Sequence, residues 1–211
     1  SSFTEQELKS LTAFQVEQFL NAEEKAILSN EHIHFKVNVP VVVSIIRDRS
    51  LKSQPFWIRE NGWTLTGLVM KVKDVEVDVW QKSFPAGGIG LGVNSLGTGG
   101  VHYIPLLKPQ NEGDLIEVSN IYPGQIKAAI FKDGVKLYSD QEDTLPTVPD
   151  AFKGSVLIQA DYGSRQDASL VSYFKWTEHP SSPQPDQVVL TWSDDPQTTQ
   201  TIQWRTDSTT R

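Results

Sequence analysis

Apolar residues recur at three- and four-residue steps only near the start of the chain. Between residues 4 and 29, Leu8, Leu11, Phe19, Leu20, Ile27 and Leu28 follow that spacing without an intervening Gly or Pro, which predicts two or three short helices. Thr4 with Glu7, Thr12 with Gln15 and Asn21 with Glu24 each match the capping-box spacing, in which a side-chain oxygen and a carboxylate or amide satisfy the first free N–H groups of a helix. Asn30 is the expected stop. After residue 31 the pattern changes to short β-branched and aromatic runs broken by Gly, Pro, Asn and Asp, as in an antiparallel sandwich. The expected strands are 32–38, 41–47, 64–72, 74–80, 101–107, 115–119, 126–131, 135–138, 155–160 and 170–177. Val75, Val77 and Val79 alternate with Asp74, Glu76 and Asp78, so the valines are expected to face inward and the carboxylates outward. Asp133-Gly134, between Ile130-Phe131 and Val135-Lys136-Leu137, is expected to be a two-residue hairpin turn, because Gly accepts the positive φ such turns need.

Composition narrows the function classes. At 211 residues, 38% hydrophobic and 21% charged, the chain is long and apolar enough for a packed core. Its 26 acidic against 19 basic residues, a net charge of -7, argue against partners that present phosphate backbones or anionic lipid, so neither nucleic acid nor membrane is expected. No apolar run approaches the roughly 18 to 20 residues of a membrane span, and Ser1-Ser2-Phe3-Thr4 shows no basic-then-apolar signal pattern. The absence of cysteine removes disulfides, Cys-ligated zinc and thiol catalysis from consideration.

Several constellations invite a chemical reading, and each has a plainer competitor. The four histidines are His32, His34, His102 and His179. His32-x-His34 would put two imidazoles on one strand face about 7 Å apart, but two ligands without a third favour a structural or surface role. Asp74, Glu76 and Asp78, beside Lys71 and Lys73, read as a solvated face rather than a cation site, and Asp140-Gln141-Glu142-Asp143 reads as a loop. Gly87-Gly88-Ile89-Gly90 through Gly97-Thr98-Gly99-Gly100 fits neither the dinucleotide fingerprint nor the phosphate loop and is expected to be a mobile hairpin or loop. Trp57, Trp63, Trp80, Tyr103, Tyr122 and Trp176 supply aromatic surface. Core packing accounts for most of it, but Trp57 and Trp63, with Arg59 and Asn61 as polar donors, form the candidate ligand site, an exposed platform for a glycan. No Gly-x-Ser-x-Gly elbow or Ser-x-x-Lys pair supports a nucleophile, and no catalytic or metal-binding residue is assigned.

Glu178-His179-Pro180-Ser181-Ser182-Pro183-Gln184-Pro185 has three prolines and nothing to bury, as a linker does. Beyond it, Val188, Leu190 and Trp192, then Ile202 and Trp204, alternate with other residues around a turn at Asp194-Asp195-Pro196, which predicts two strands of a new sheet. The organisation read here is a helical segment over 1–30, a β-sandwich over 31–178, a linker over 179–185 and an incomplete fibronectin-III-like or immunoglobulin-like domain over 186–211. An immunoglobulin-like sandwich takes about 100 residues.

The tail, Pro185-Asp186-Gln187-Val188-Val189-Leu190-Thr191-Trp192 through Asp195-Pro196-Gln197-Thr198-Thr199 to Ile202-Gln203-Trp204-Arg205-Thr206, resembles the opening of the fibronectin-III-like N-terminal domain of purple acid phosphatases. The resemblance implies an exported parent that hydrolyses phosphate esters at a dinuclear metal centre. It also implies that this chain carries no cofactor, because the family's Asp-x-Gly, Gly-Asp-x-x-Tyr, Gly-Asn-His and Gly-His-x-His type motifs match no stretch of it. The expected function is therefore a non-catalytic N-terminal region whose partner is the parent's catalytic domain. The competing reading is a carbohydrate-binding or cell-surface adhesion module with a fibronectin-like spacer.

Overall fold

In the computed structural model the described residues are 10–51, 54–68, 70–72, 74–96, 101–161, 182–191, 195 and 197–206. The chain divides into two units, residues 1–172 and residues 173–211. The fold is mainly β, with antiparallel sheets and a few short helices, an arrangement consistent with a β-sandwich.

Local chemistry sets the first helices. α1 (Ala13–Phe19) begins at Thr12, whose hydroxyl accepts from the Gln15 N–H while the Gln15 side chain accepts from the Thr12 N–H. α2 (Ala22–Asn30) begins at Asn21 with the same reciprocal bonds to Glu24, at 2.9 and 2.8 Å, and it ends at Asn30 as expected. The Thr4–Glu7 pair lies outside the described residues. A third helix, α3 (Phe56–Glu60), follows Pro55, where no helix was expected.

The strands are β1 (Ile33–Val37), β2 (Val41–Asp48), β3 (Thr64–Leu65), β4 (Met70–Val72), β5 (Val75–Phe84), β6 (Gly87–Leu91), β7 (Ile104–Pro109), β8 (Val118–Tyr122), β9 (Lys127–Ile130), β10 (Val135–Lys136), β11 (Thr144–Leu145) and β12 (Val156–Gln159). A three-stranded sheet runs β6-β1-β8, and a seven-stranded sheet runs β3-β5-β2-β7-β12-β9 with β4 also on β5. On one face of the large sheet, Ile46, Val77, Val79, Ile104, Leu106 and Leu157 join a core with Phe131, Leu137, Leu145 and Phe152 from the β10–β11 region. The other face carries buried Val43, Ile45 and Leu107. Trp63 contacts Phe84 on that face, and Lys82 donates to the Asn61 carbonyl at 2.6 Å, which docks the α3 segment there.

Several expectations change in three dimensions. The glycine-rich stretch is not a loop over its first part: Gly87–Leu91 is strand β6, paired residue by residue with β1. Ile89 and Leu91 point inward, and the glycines between and after them admit other backbones. A Cβ on Gly90 would lie 2.3 Å from the Asn30 carbonyl oxygen, and one on Gly92 would lie 2.5 Å from the Trp57 ring. Gly97–Gly100 lies outside the described residues.

The expected strand 64–72 is two short strands, interrupted around Gly67 at a φ of 71°. Of the valine row, Val77 and Val79 are buried but Val75 is 40% exposed, because it sits at the edge of the sheet beside the turn. Asp74 belongs to that turn, at a φ of 65°, and not to the strand's outer row. Glu76 and Asp78 face outward to Arg49, at 3.9 and 3.7 Å. Asp133-Gly134 turns with a φ of 79° at Gly134, yet it makes no hairpin, because β9 pairs with β12 while β10 pairs with β11. The Asp133 carboxylate instead accepts from the Val148 N–H and from Lys153, which ties the turn to the segment that leads into β12.

Among the described residues of the second unit, β13 (Asp186–Thr191) pairs antiparallel with β14 (Thr201–Arg205). Asp195 organises the connection by accepting from the Gln197 N–H on its carboxylate and from the Thr199 N–H on its carbonyl, both at 2.9 Å. The expected strand 170–177 and residues 179–181 of the expected linker lie outside the described residues. Among the described residues no helix is long and apolar enough to cross a membrane.

The glycine contacts make a direct prediction. Gly90→Ala should cost about 3 kcal/mol or more in urea unfolding, because its Cβ meets backbone that cannot move aside. Gly88→Ala, on the same strand with nothing within 4 Å of its added Cβ, should stay within about 0.5 kcal/mol of wild type.

Candidate functional site

Of the four residues expected to form a glycan platform, Trp57 and Trp63 come together, but in the interior. Trp57 lies on α3 with its ring 1% exposed, and Trp63, beyond the turn that ends α3, is 8% exposed. Their rings meet edge to face at 5.4 Å, and Trp57 also meets Tyr103 at 5.8 Å. The Trp57 indole N–H donates to the Val93 carbonyl at 2.8 Å, which satisfies its one polar atom inside the core. The expectation of an exposed platform is therefore overturned, since neither ring offers a face to a sugar. Gly92, just after β6, clears space for the Trp57 ring, which a Cβ there would meet at 2.5 Å.

Arg59 points away from the tryptophans. One of its terminal nitrogens donates to both Glu17 carboxylate oxygens at 2.7 Å, joining α3 to α1. Glu17 is buried, while Arg59 keeps about two-fifths of its side chain in water. The pair borders a cleft of about 500 Å³ with Phe14, Pro55, Phe56 and Leu96. Asn61 contributes its backbone carbonyl to Lys82. The partnership of Glu17 with Arg59 was not legible in the sequence, because 42 residues separate them.

The histidines rearrange in the same way. His34 lies on β1, stacked on its cross-strand neighbour Tyr122 at 4.8 Å, with Glu31 3.8 Å from its Nε2. His32, in the bend before β1, turns inward and is fully buried. Its partner is His102, 70 residues away, with the two Nε2 atoms 3.0 Å apart. His102 Nδ1–H donates to the Tyr103 carbonyl at 2.7 Å. That leaves His102 Nε2 as an acceptor and makes His32 the donor. The His102 imidazole is held down to about 3, chiefly by burial and then by the neighbouring His32, with the Tyr103 carbonyl opposing both. Both rings are buried and hydrogen-bonded to one another, and among the described residues no third His, Asp or Glu converges with them on a shared ion.

The His32-x-His34 chelate is accordingly not formed. The described residues do not fit a dinuclear metal centre either, as no three His, Asp or Glu side chains among them come together. The two Nε2 atoms, 3.0 Å apart and in line with their rings, leave no room between them for an ion bonded to each at about 2.0–2.1 Å. His102 also borders a second cleft, about 340 Å³, with Asp48, Val75, Val77, Tyr138 and Asp143.

No family model matches this chain, and neither a curated protein nor a solved structure matches it.

The structural role of the ligand candidates is measurable. Trp57→Ala should lower stability by about 3–5 kcal/mol, and added oligosaccharides should leave the tryptophan fluorescence of the wild-type chain unchanged. Arg59→Met should cost about 2 kcal/mol by stranding the Glu17 carboxylate in a dry site, and Glu17→Gln about 1 kcal/mol or less, because Arg59 still reaches water.

Proposed function

We propose that this chain is the non-catalytic N-terminal region of a metallophosphoesterase of the purple acid phosphatase type, an exported protein whose dinuclear centre and phosphate-ester chemistry lie outside it. What supports the reading is the second unit. Residues 185–206 carry the resemblance in sequence, and within them β13 and β14 pair around a turn organised by Asp195, in the strand, turn, strand order of that family's opening.

The observation that carries the proposal is the apolar side of this ribbon. Leu190 and Ile202 lie directly opposite one another and Trp204 is two residues on, and each is more than half exposed. An isolated two-stranded ribbon is marginal in water. A row of this kind is what one sheet of a sandwich presents to the other across a shared core about 10 Å thick. The partner in this reading is the rest of the same protein, and the first unit contributes packing and positioning, not chemistry.

The test compares two proteins. The full reading-frame product should hydrolyse a phosphomonoester in a reaction abolished by chelators, whereas the 211-residue chain should show no turnover with added Zn²⁺, Mn²⁺ or Fe³⁺. Chelator-sensitive turnover by the 211-residue chain, or a full-length product without metal-dependent phosphatase activity, would contradict the proposal.

A further inference from the structure

The geometry of His32 and His102 has a consequence of its own. Their ring centres are 5.3 Å apart while the Nε2 atoms are 3.0 Å apart, a difference of about two ring radii, so the imidazoles meet end to end in a linear N–H···N bond. His32 stands in the bend that leads into β1 of the small sheet, and His102 lies two residues before β7 of the large one. The segment around His102 is held from its other side as well. The Tyr138 hydroxyl donates to the His102 carbonyl at 2.7 Å, and the Asn94 amide donates to the Val101 carbonyl at 3.1 Å.

We propose that the His32–His102 hydrogen bond is an acid-operated clasp between the two sheets, which releases residues 101–104 from the bend before β1 while the rest of the large sheet stays paired. The chemistry of the bond leaves little room for a proton. One proton on the pair places a charge between two rings that are 0% and 4% exposed. A second proton sets two N–H donors against each other, and the bond is lost.

The titratable groups around the pair come from every neighbouring element. Tyr103 is on the same segment, Asp48 ends β2, and Tyr138 and Asp143 come from the stretch after β10. Glu31 and His34 flank His32 and face one another near the surface. The sign follows from burial. An open segment takes up a proton near the ordinary histidine value of 6.5, and the closed one resists until about 3. The clasp is therefore at full strength above pH 6.5 and weakens progressively as the pH falls from there toward 3. Val101, His102 and Ile104 also form one wall of the 340 Å³ cleft over Val72 and Val77, so release of the clasp enlarges an apolar opening.

The test is amide hydrogen exchange on the full chain at about pH 8 and about pH 5, with rates corrected for their intrinsic pH dependence. It is run on wild type and on a variant with His32→Gln together with His102→Gln, in which an amide pair that does not titrate replaces the imidazoles. In wild type, residues 31–35 and 101–104 should lose protection by about tenfold or more at the lower pH, with β2 and β5 unchanged, and the variant should show no such local loss. An equal response in both proteins, or a loss spread evenly over the large sheet, would overturn the proposal. Imidazole nitrogen NMR of wild type gives a second reading that does not depend on the variant's folding. Titration of either ring near 6.5 with residues 101–104 still protected would also overturn it.

Discussion

Strand β2 has neither face in water. Val43 and Ile45 are buried on one side, Ser44 and Ile46 on the other, and the Ser44 hydroxyl accepts from the Gln81 side chain. Each fully buried Val or Ile contributes about 1.5–3 kcal/mol relative to exposure, so the chain gains only if it covers both faces. The rest of the first unit follows from that requirement. Residues 131–152 fold over one face through Phe131, Leu137, Leu145 and Phe152. The α3 segment docks on the other face, with Trp63 on Phe84 and Lys82 on the Asn61 carbonyl. Trp57 then carries the packing on to the end of β6 through the Val93 carbonyl.

Features decided within a few residues were legible in the sequence. The capping boxes at Thr12 and Asn21 are bonds three residues long, and both form as read. The strands around 33–37, 41–48 and 156–159 follow from β-branched runs that have few other uses. What failed was decided by distant partners. The stretch looked like a loop because the reason Gly90 and Gly92 are glycine lies in Asn30 and in Leu28 and Trp57, not in their own neighbours. Asp133-Gly134 had the local chemistry of a hairpin turn, but the strands on either side were claimed by other strands.

The candidate site failed for the same reason. Nothing near Trp57 in sequence says that its indole N–H will find the Val93 carbonyl, or that Glu17 will take Arg59. His32 was weighed beside His34 because they are two residues apart, whereas the fold pairs it with His102 across the sheets. Aromatic rings, an arginine and histidines, the residue types most readily read as a binding site, are bound here to one another and to the backbone. The apolar row on Leu190, Ile202 and Trp204 lies in the other unit and belongs to the proposed continuation into a larger protein.

The central claim is that these polar and aromatic groups hold the interior of the first unit together, with His32 and His102 bonded to one another. Imidazole nitrogen NMR of the chain at neutral pH, before and after an equimolar addition of Zn²⁺, tests it most directly. The account predicts His102 protonated at Nδ1 and His32 at Nε2, with neither spectrum altered by the metal. Stoichiometric movement of the His32 and His102 resonances to metal-bound positions would contradict it.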